Sequence, residues 1–152
     1  INTDVYGNFA LAGSIFLDSR NSSTFADVFS LLYGHHMENS QMFGDLDKYR
    51  SVDFLQQTNT GTLLVPGGRY ALRVFACIVV SASDDLIYQP LQWQADNVPA
   101  MLDRLQADAL CVDQAAMDDL RTAQNLKVLC MSTCSSDYTD ARTVVLAAMQ
   151  LE

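Results

Sequence analysis

The sequence predicts a mostly β domain with a helical excursion late in the chain, and three features carry that expectation. A long β-branched run, RVFACIVVSAS at residues 73–83, follows the turn signal Pro66-Gly67-Gly68. Two further apolar runs, residues 126–134 and 143–151, close the chain. Ahead of them, Asn97-Val98-Pro99 opens a segment with Ala100, Met101, Leu102 and Leu105 on one face, the spacing of a helix.

The elements follow in order. Residues 14–17 (SIFL) and 28–33 (VFSLLY) read as short strands, separated by a polar loop over 18–27 in which Ser-Arg-Asn-Ser-Ser signals irregular backbone. Gly34 closes the second strand and leaves His35 and His36 at its end. Met42, Phe43, Leu46, Tyr49 and Phe54 predict a helix over 40–48 and a further turn over 51–57. Residues 62–65 and 70–81 form a hairpin. The later helix spans 99–109 with Asn97 as its cap, and QAAMDDL at 114–120 forms a short helix or turn. The loop SSDYTDA between the last two strands ends at Arg142.

A length of 152 residues fits one domain, residues 1–152, with a real core. Hydrophobic residues at 49% against 18% charged give a globular composition. The net charge of −9 argues against non-specific nucleic-acid binding, which needs Lys and Arg to displace phosphate counterions, and against a peripheral anchor on anionic lipid. The longest uninterrupted apolar run, residues 74–80, is far short of the roughly 20 residues a membrane-crossing helix needs. The chain opens on Ile1 without a signal peptide, so it reads as a truncated or processed fragment, any anchor of the full protein lying outside it.

The cysteines are Cys77, Cys111, Cys130 and Cys134, with no CxxC and only two adjacent histidines, so metal-ligand spacing is missing and neither metal nor cofactor is expected. On one strand, Cys130 and Cys134 stand about 13 Å apart at ~3.3 Å per residue, too far for a disulfide, so both are expected as free thiols. A Cys at one strand end and a His at another make a candidate nucleophile with an acid–base partner. A nearby cation favours the thiolate, imidazole can protonate a leaving amine, and a guanidinium can balance an oxyanion. Taken alone, these residues fit blander roles better: a strand cysteine is commonly a small buried hydrophobe, a loop histidine or arginine a solvated side chain.

The motifs decide between these readings. GSIFLDSRN (13–21), LLYGHHM (31–37), MFGDLDKY (42–49), MSTC (131–134) and DARTVVLAAM (140–149) together resemble class B sortases nearly end to end. Ser132-Thr133-Cys134 matches the end of that family's TLxTC strand, with Cys130 and Met131 in place of its usual Thr and Leu. The resemblance implies a sortase-like β-barrel with a helical insertion, over 84–125, before the nucleophile strand. It implies Cys134 as nucleophile, His35 as acid and base with His36 a variable neighbour, and Arg142 as holder of the substrate carbonyl or its oxyanion. Tyr33, Ser132, Thr133 and Tyr88 match residues that line the substrate groove; by strand alternation Ser132 shares a face with Cys134 while Thr133 points away.

The implied activity is transpeptidation on the outer face of a Gram-positive cell, membrane-anchored in the full-length protein. A C-terminal sorting signal of a surface or pilin protein is cleaved at Thr–Gly through a thioacyl enzyme and passed to an amine. The eight-residue step from Cys134 to Arg142 and the YGHHM and MFGDL forms resemble pilus-assembling members, whose acceptor is a pilin lysine; a cell-wall peptide is the alternative acceptor. A thiol hydrolase without transfer and a catalytically idle surface-binding module are the competing readings. Ile1-Asn2-Thr3-Asp4 resembles the inside of the family's YLN-D segment, so the barrel is expected to lack its N-terminal strands. The open edge is then expected to be filled by a neighbouring molecule, a lattice contact or a rearranged segment 1–9.

Overall fold

The computed structural model describes residues 2–38, 40–135 and 137–152. Seven strands make one sheet: β1 (Phe16–Leu17), β2 (Phe29–Tyr33), β3 (Thr60–Val65), β4 (Gly68–Ser81), β5 (Cys111–Val112), β6 (Val128–Cys134) and β7 (Ala141–Leu151). Their order is β1-β2-β6-β7-β4-β3, with β5 on β4. Helices α1 (Val52–Gln57), α2 (Asp85–Tyr88), α3 (Val98–Asp108) and α4 (Gln114–Thr122) and a 3-10 helix, Gly44–Arg50, pack around it. The mostly β expectation stands, and the sheet is open, as expected of a barrel short of strands: among the described residues β1 and β3 do not pair with each other.

Every pairing is antiparallel except one. β2 runs parallel to β6, from Phe29↔Val128 to Tyr33↔Ser132. A parallel ladder puts equivalent strand ends on the same side, so the residues following Tyr33 and Ser132 emerge together. β6 then turns back into β7 with Cys134 directly opposite Arg142. One end of the sheet thus receives His35, Cys134 and Arg142 through backbone pairing alone.

β7 reads as a nearly unbroken apolar run because both faces of the sheet are covered. Val144 and Leu146 pack with Phe29, Leu31, Met101, Leu105 and Met117 on the face carrying α3 and α4. Val145 and Ala147 pack with Phe43, Leu46, Leu55 and Cys77 on the other. α3 buries Val98, Met101, Leu102 and Leu105, one stripe at helical spacing. α4 is capped by Asp113, whose carboxylate accepts from the Ala116 N–H at 3.0 Å.

Several expectations are corrected. The strand expected over 14–17 shrinks to Phe16–Leu17, which pairs only with the end of β2. The helix expected over 40–48 is the 3-10 helix Gly44–Arg50; it buries Leu46 against Phe43, and that short apolar pattern does not distinguish the two helix types. Asn97 sits at the N-terminus of α3 but does not cap it. Its side chain accepts from the Gln94 N–H at 2.8 Å and donates to the Gln92 carbonyl at 2.7 Å, bracing the turn before the helix. Residues 2–10 do not fill the edge of β3: they curl on themselves through a Thr3–Phe9 bridge, with Val5, Tyr6 and Phe9 exposed. Ile1 lies outside the described residues. Among the described residues no helix is long and apolar enough to cross a membrane.

Two glycines mark close approaches beneath the site. A Cβ on Gly34 would stand 2.6 Å from the Phe43 ring, and one on Gly44 would stand 2.1 Å from the Met37 carbonyl oxygen. The second obstacle is backbone and cannot swing aside. Gly44→Ala is therefore expected to destabilise the domain by about 1–3 kcal/mol, read as a lower denaturant midpoint at unchanged slope. A midpoint equal to that of the parent chain would show that the 35–44 loop relaxes freely.

Candidate active site

A cavity of about 410 Å³ opens at the end of the sheet where β2, β6 and β7 finish or begin. It is lined by Phe16, Tyr33, Gly34, His35, Ala82, Tyr88, Ser132, Thr133, Cys134 and Arg142. All seven residues singled out in the sequence fall on this one cavity. A larger cavity, about 960 Å³, lies at the opposite ends of β4 and β7 and is lined by neither Cys nor His. The candidate site is therefore the smaller one.

Cys134 ends β6 as an exposed thiol, whereas Cys77, Cys111 and Cys130 are buried; all four are free. Burial pushes the Cys77 thiol up to about 12 and raises that of Cys130 as well, so neither is a nucleophile near neutral pH. Arg142 faces Cys134 across the β6–β7 ladder, and its guanidinium donates to the Ala141 carbonyl at 2.9 Å. The β6–β7 loop is closed by Ser135 N–H to the Ala141 carbonyl at 2.9 Å and tied to the 3-10 helix by an Arg50–Asp137 pair at 2.6 Å.

His35 is held by its flanks. The Gly34 N–H donates to the Ser132 carbonyl at 3.2 Å, and the Phe43 N–H donates to the His35 carbonyl at 3.0 Å. Its Nε2 lies 3.2 Å from the Asn2 side-chain oxygen. His36 turns the other way: its Nε2 is 2.7 Å from Asp47, whose second oxygen accepts from the Thr143 hydroxyl at 2.8 Å. The adjacent histidines thus point apart, one on the cavity and one against the 3-10 helix.

The cavity walls are aromatic. Tyr33 stacks between Phe16 and Tyr88, with ring centroids 5.2 and 6.3 Å away. The Tyr88 hydroxyl lies 2.7 Å from that of Ser132, and burial raises the phenol of Tyr88 well above its ordinary value. Burial, then the hydrogen bond to Asp18, do the same to Tyr33. Thr133 pairs across the ladder with Thr143, and its hydroxyl is buried without a hydrogen-bond partner among the described residues. That is consistent with a side chain turned away from the thiol.

Sequence reasoning passed over Asp18 and Arg20, whose side chains link β1 to Tyr33 and α2, and Asn2 beside His35. Asp18 and Arg20 lie in GSIFLDSRN, a motif that marked resemblance without a role for either carboxylate or guanidinium. Among the described residues no cluster of three His, Cys, Asp or Glu side chains is arranged to hold a metal ion.

No protein-family model matches the chain. The sortase B of Listeria monocytogenes is 31% identical over 140 residues, which is 90% of this chain and 54% of that protein. The crystal structure of sortase B from the type II pilus of Streptococcus pneumoniae matches with a TM-score of 0.77 and 34% identity, over 91% of this chain and 76% of that one. A Streptococcus pyogenes class B sortase involved in pilus biogenesis matches with a TM-score of 0.81 and 27% identity, over 98% and 78% of the respective chains. The chain belongs to the class B sortases. It spans 54% and 59% of the lengths of the two curated relatives it matches.

Proposed function

We propose that residues 1–152 act as one catalytic domain of a cysteine transpeptidase. The observation that carries this reading is the pairing of an exposed Cys134 with Arg142 on a cavity that His35 also lines. The Cys134 thiolate attacks the carbonyl carbon of the Thr–Gly bond in a sorting signal, forming a C–S bond and an oxyanion that the Arg142 guanidinium faces. As the oxyanion collapses, the C–N bond breaks and His35 gives its proton to the departing glycine amine. An incoming amine, deprotonated by the now neutral His35, attacks the thioacyl carbon and releases the thiolate. Peptide side chains rest against Tyr33, Tyr88 and Ser132, with the backbone of Thr133 at the rim.

The acceptor we favour is a pilin lysine, because two of the similar solved proteins come from pilus systems; the cell-wall peptide is the second reading. Such an enzyme works on the outer face of a Gram-positive cell, held to the membrane by an N-terminal anchor. Intact-mass measurement tests the reading with a pool of pentapeptides carrying Thr–Gly and randomised elsewhere. A peptide adduct on Cys134 that an added amine converts to a peptide–amine product is expected. Release to water at the same rate with and without amine would leave only a thiol hydrolase.

Arg142→Lys keeps the charge but loses the planar fork that can hold two acceptors. The rate of thioacyl formation is expected to fall by about 100-fold or more, as on losing one oxyanion donor. A near-parental rate would reduce Arg142 to a general positive charge.

A further inference from the structure

Asp18 stands in the loop after β1, only 7% exposed, and its carboxylate collects four donors. One oxygen accepts from the backbone N–H and Nε of Arg20, at 3.0 and 2.9 Å. The other accepts from Arg20 Nη2 and from the Tyr33 hydroxyl, both at 2.8 Å. The Arg20 hydrogen bonds hold this carboxyl well below the usual carboxylate range, so it stays an acceptor. The guanidinium then reaches 68 residues along the chain: Nη2 also donates to the Tyr88 carbonyl at 3.0 Å and Nη1 to Gln89 Oε1 at 3.2 Å.

These bonds meet the candidate site at two points. Tyr33 lies two residues before His35 on β2, and Tyr88 is bound through its hydroxyl to Ser132, two residues before Cys134 on β6. Both rings line the cavity and stack at 6.3 Å, nearly parallel at 12°. Neither Asp18 nor Arg20 lines the cavity itself. α2 is a four-residue helix that follows β4 by a short turn. Leu86 and Ile87 anchor it in the core and the Trp93 indole N–H donates to the Leu86 carbonyl at 2.8 Å, but these contacts leave its last residue, Tyr88, to be fixed from outside the helix. Arg20 adds a tie at that end of the helix, one planar fork spanning a carboxylate and a carbonyl at once.

We propose that the Asp18–Arg20 pair positions the groove: it sets how far Tyr88 stands from Tyr33 and so how a peptide backbone enters toward Cys134, without touching the reacting atoms. Its effect on substrate rests on the transpeptidase reading; its effect on Tyr88 does not. Arg20→Lys retains a cation beside Asp18 but cannot hold both acceptors, and Asp18→Asn, the second variant, keeps the shape and loses the charge.

The test compares both variants with the parent chain, labelled with 13C in the tyrosine rings, by NMR and by steady-state cleavage of fluorogenic Thr–Gly pentapeptides randomised at the other positions. In both variants the Tyr88 and Tyr33 ring signals are expected to move. The apparent KM is expected to rise about tenfold with kcat within about threefold, the signature of lost substrate positioning. Alkylation of Cys134 by iodoacetamide should keep its rate and its pH profile. Unmoved ring signals overturn the proposal, whatever the kinetics. A parallel fall in kcat and alkylation rate also overturns it, since the pair would then support the whole sheet. If the parent chain cleaves no member of the pool, the transpeptidase reading fails and the ring signals alone decide this one.

Discussion

Cys134→Ala is expected to yield a folded chain that forms no peptide adduct and no transfer product, while Cys130→Ala keeps both activities. The two thiols sit four residues apart on β6 and differ in everything that governs reactivity. Cys134 is exposed at the strand end, beside Arg142. Cys130 is wholly buried among Phe29, Leu31 and Leu146 on the helix-covered face, where desolvation disfavours its thiolate. Losing the Cys130 sulfur leaves a small void that costs about 1 kcal/mol, visible in the melting temperature and not in the turnover of folded enzyme. Intact mass after exposure to peptide, with melting curves for both variants, checks this. A Cys130→Ala chain as inert as Cys134→Ala, at parental stability, would overturn the assignment of the nucleophile.

His35→Ala is expected to lower kcat/KM by about 100- to 10,000-fold, the range associated with a lost general acid–base. His36→Ala should stay within about threefold of the parent chain on the same scale. The imidazole of His36 faces Asp47, a half-exposed pair worth about 0–1 kcal/mol once solvent screening is counted, so its loss touches the fold slightly and the cavity not at all. Rates for both variants across pH 5 to 9 separate the roles. Equal losses would show that Asp47 and His36 govern the site through Thr143, which hydrogen-bonds Asp47 and follows Arg142 directly.

The central strands were legible because their signals are local, whereas the candidate site was legible only through the resemblance of its motifs. β2, β6 and β7 are apolar runs ended by Gly34, by Cys134 and by the polar loop before Arg142, and a run covered on both faces needs little else to declare itself. What escaped depends on distant partners. β5 is two residues long and exists because Cys111 and Val112 find Cys77 and Ala76 on β4. α2 is a single turn capped by Asp84, too short for a periodicity to register. Asn97 resembled a cap because its residue type suits one, yet its amide finds better partners in the preceding turn. Arg20 could not be assigned a task from Ser-Arg-Asn, since its partners Tyr88 and Gln89 lie on another element. The open edge was expected from the resemblance and not from any strand's own pattern, because it depends on which edges meet.

The parallel ladder between β2 and β6 also governs when the candidate site comes together. Each of its paired residues is separated by 99 positions, so the ladder closes a loop containing most of the domain. The length-dependent part of that closure costs about 4 kcal/mol in chain entropy before the ladder returns anything. Such long-range pairings form late and slowly. During synthesis, a chain emerging N-terminus first exposes His35 long before Cys134 arrives. The Cys134 thiol therefore stays apart from the His35 imidazole until β6 docks beside β2, and a partly folded chain does not bring the two together.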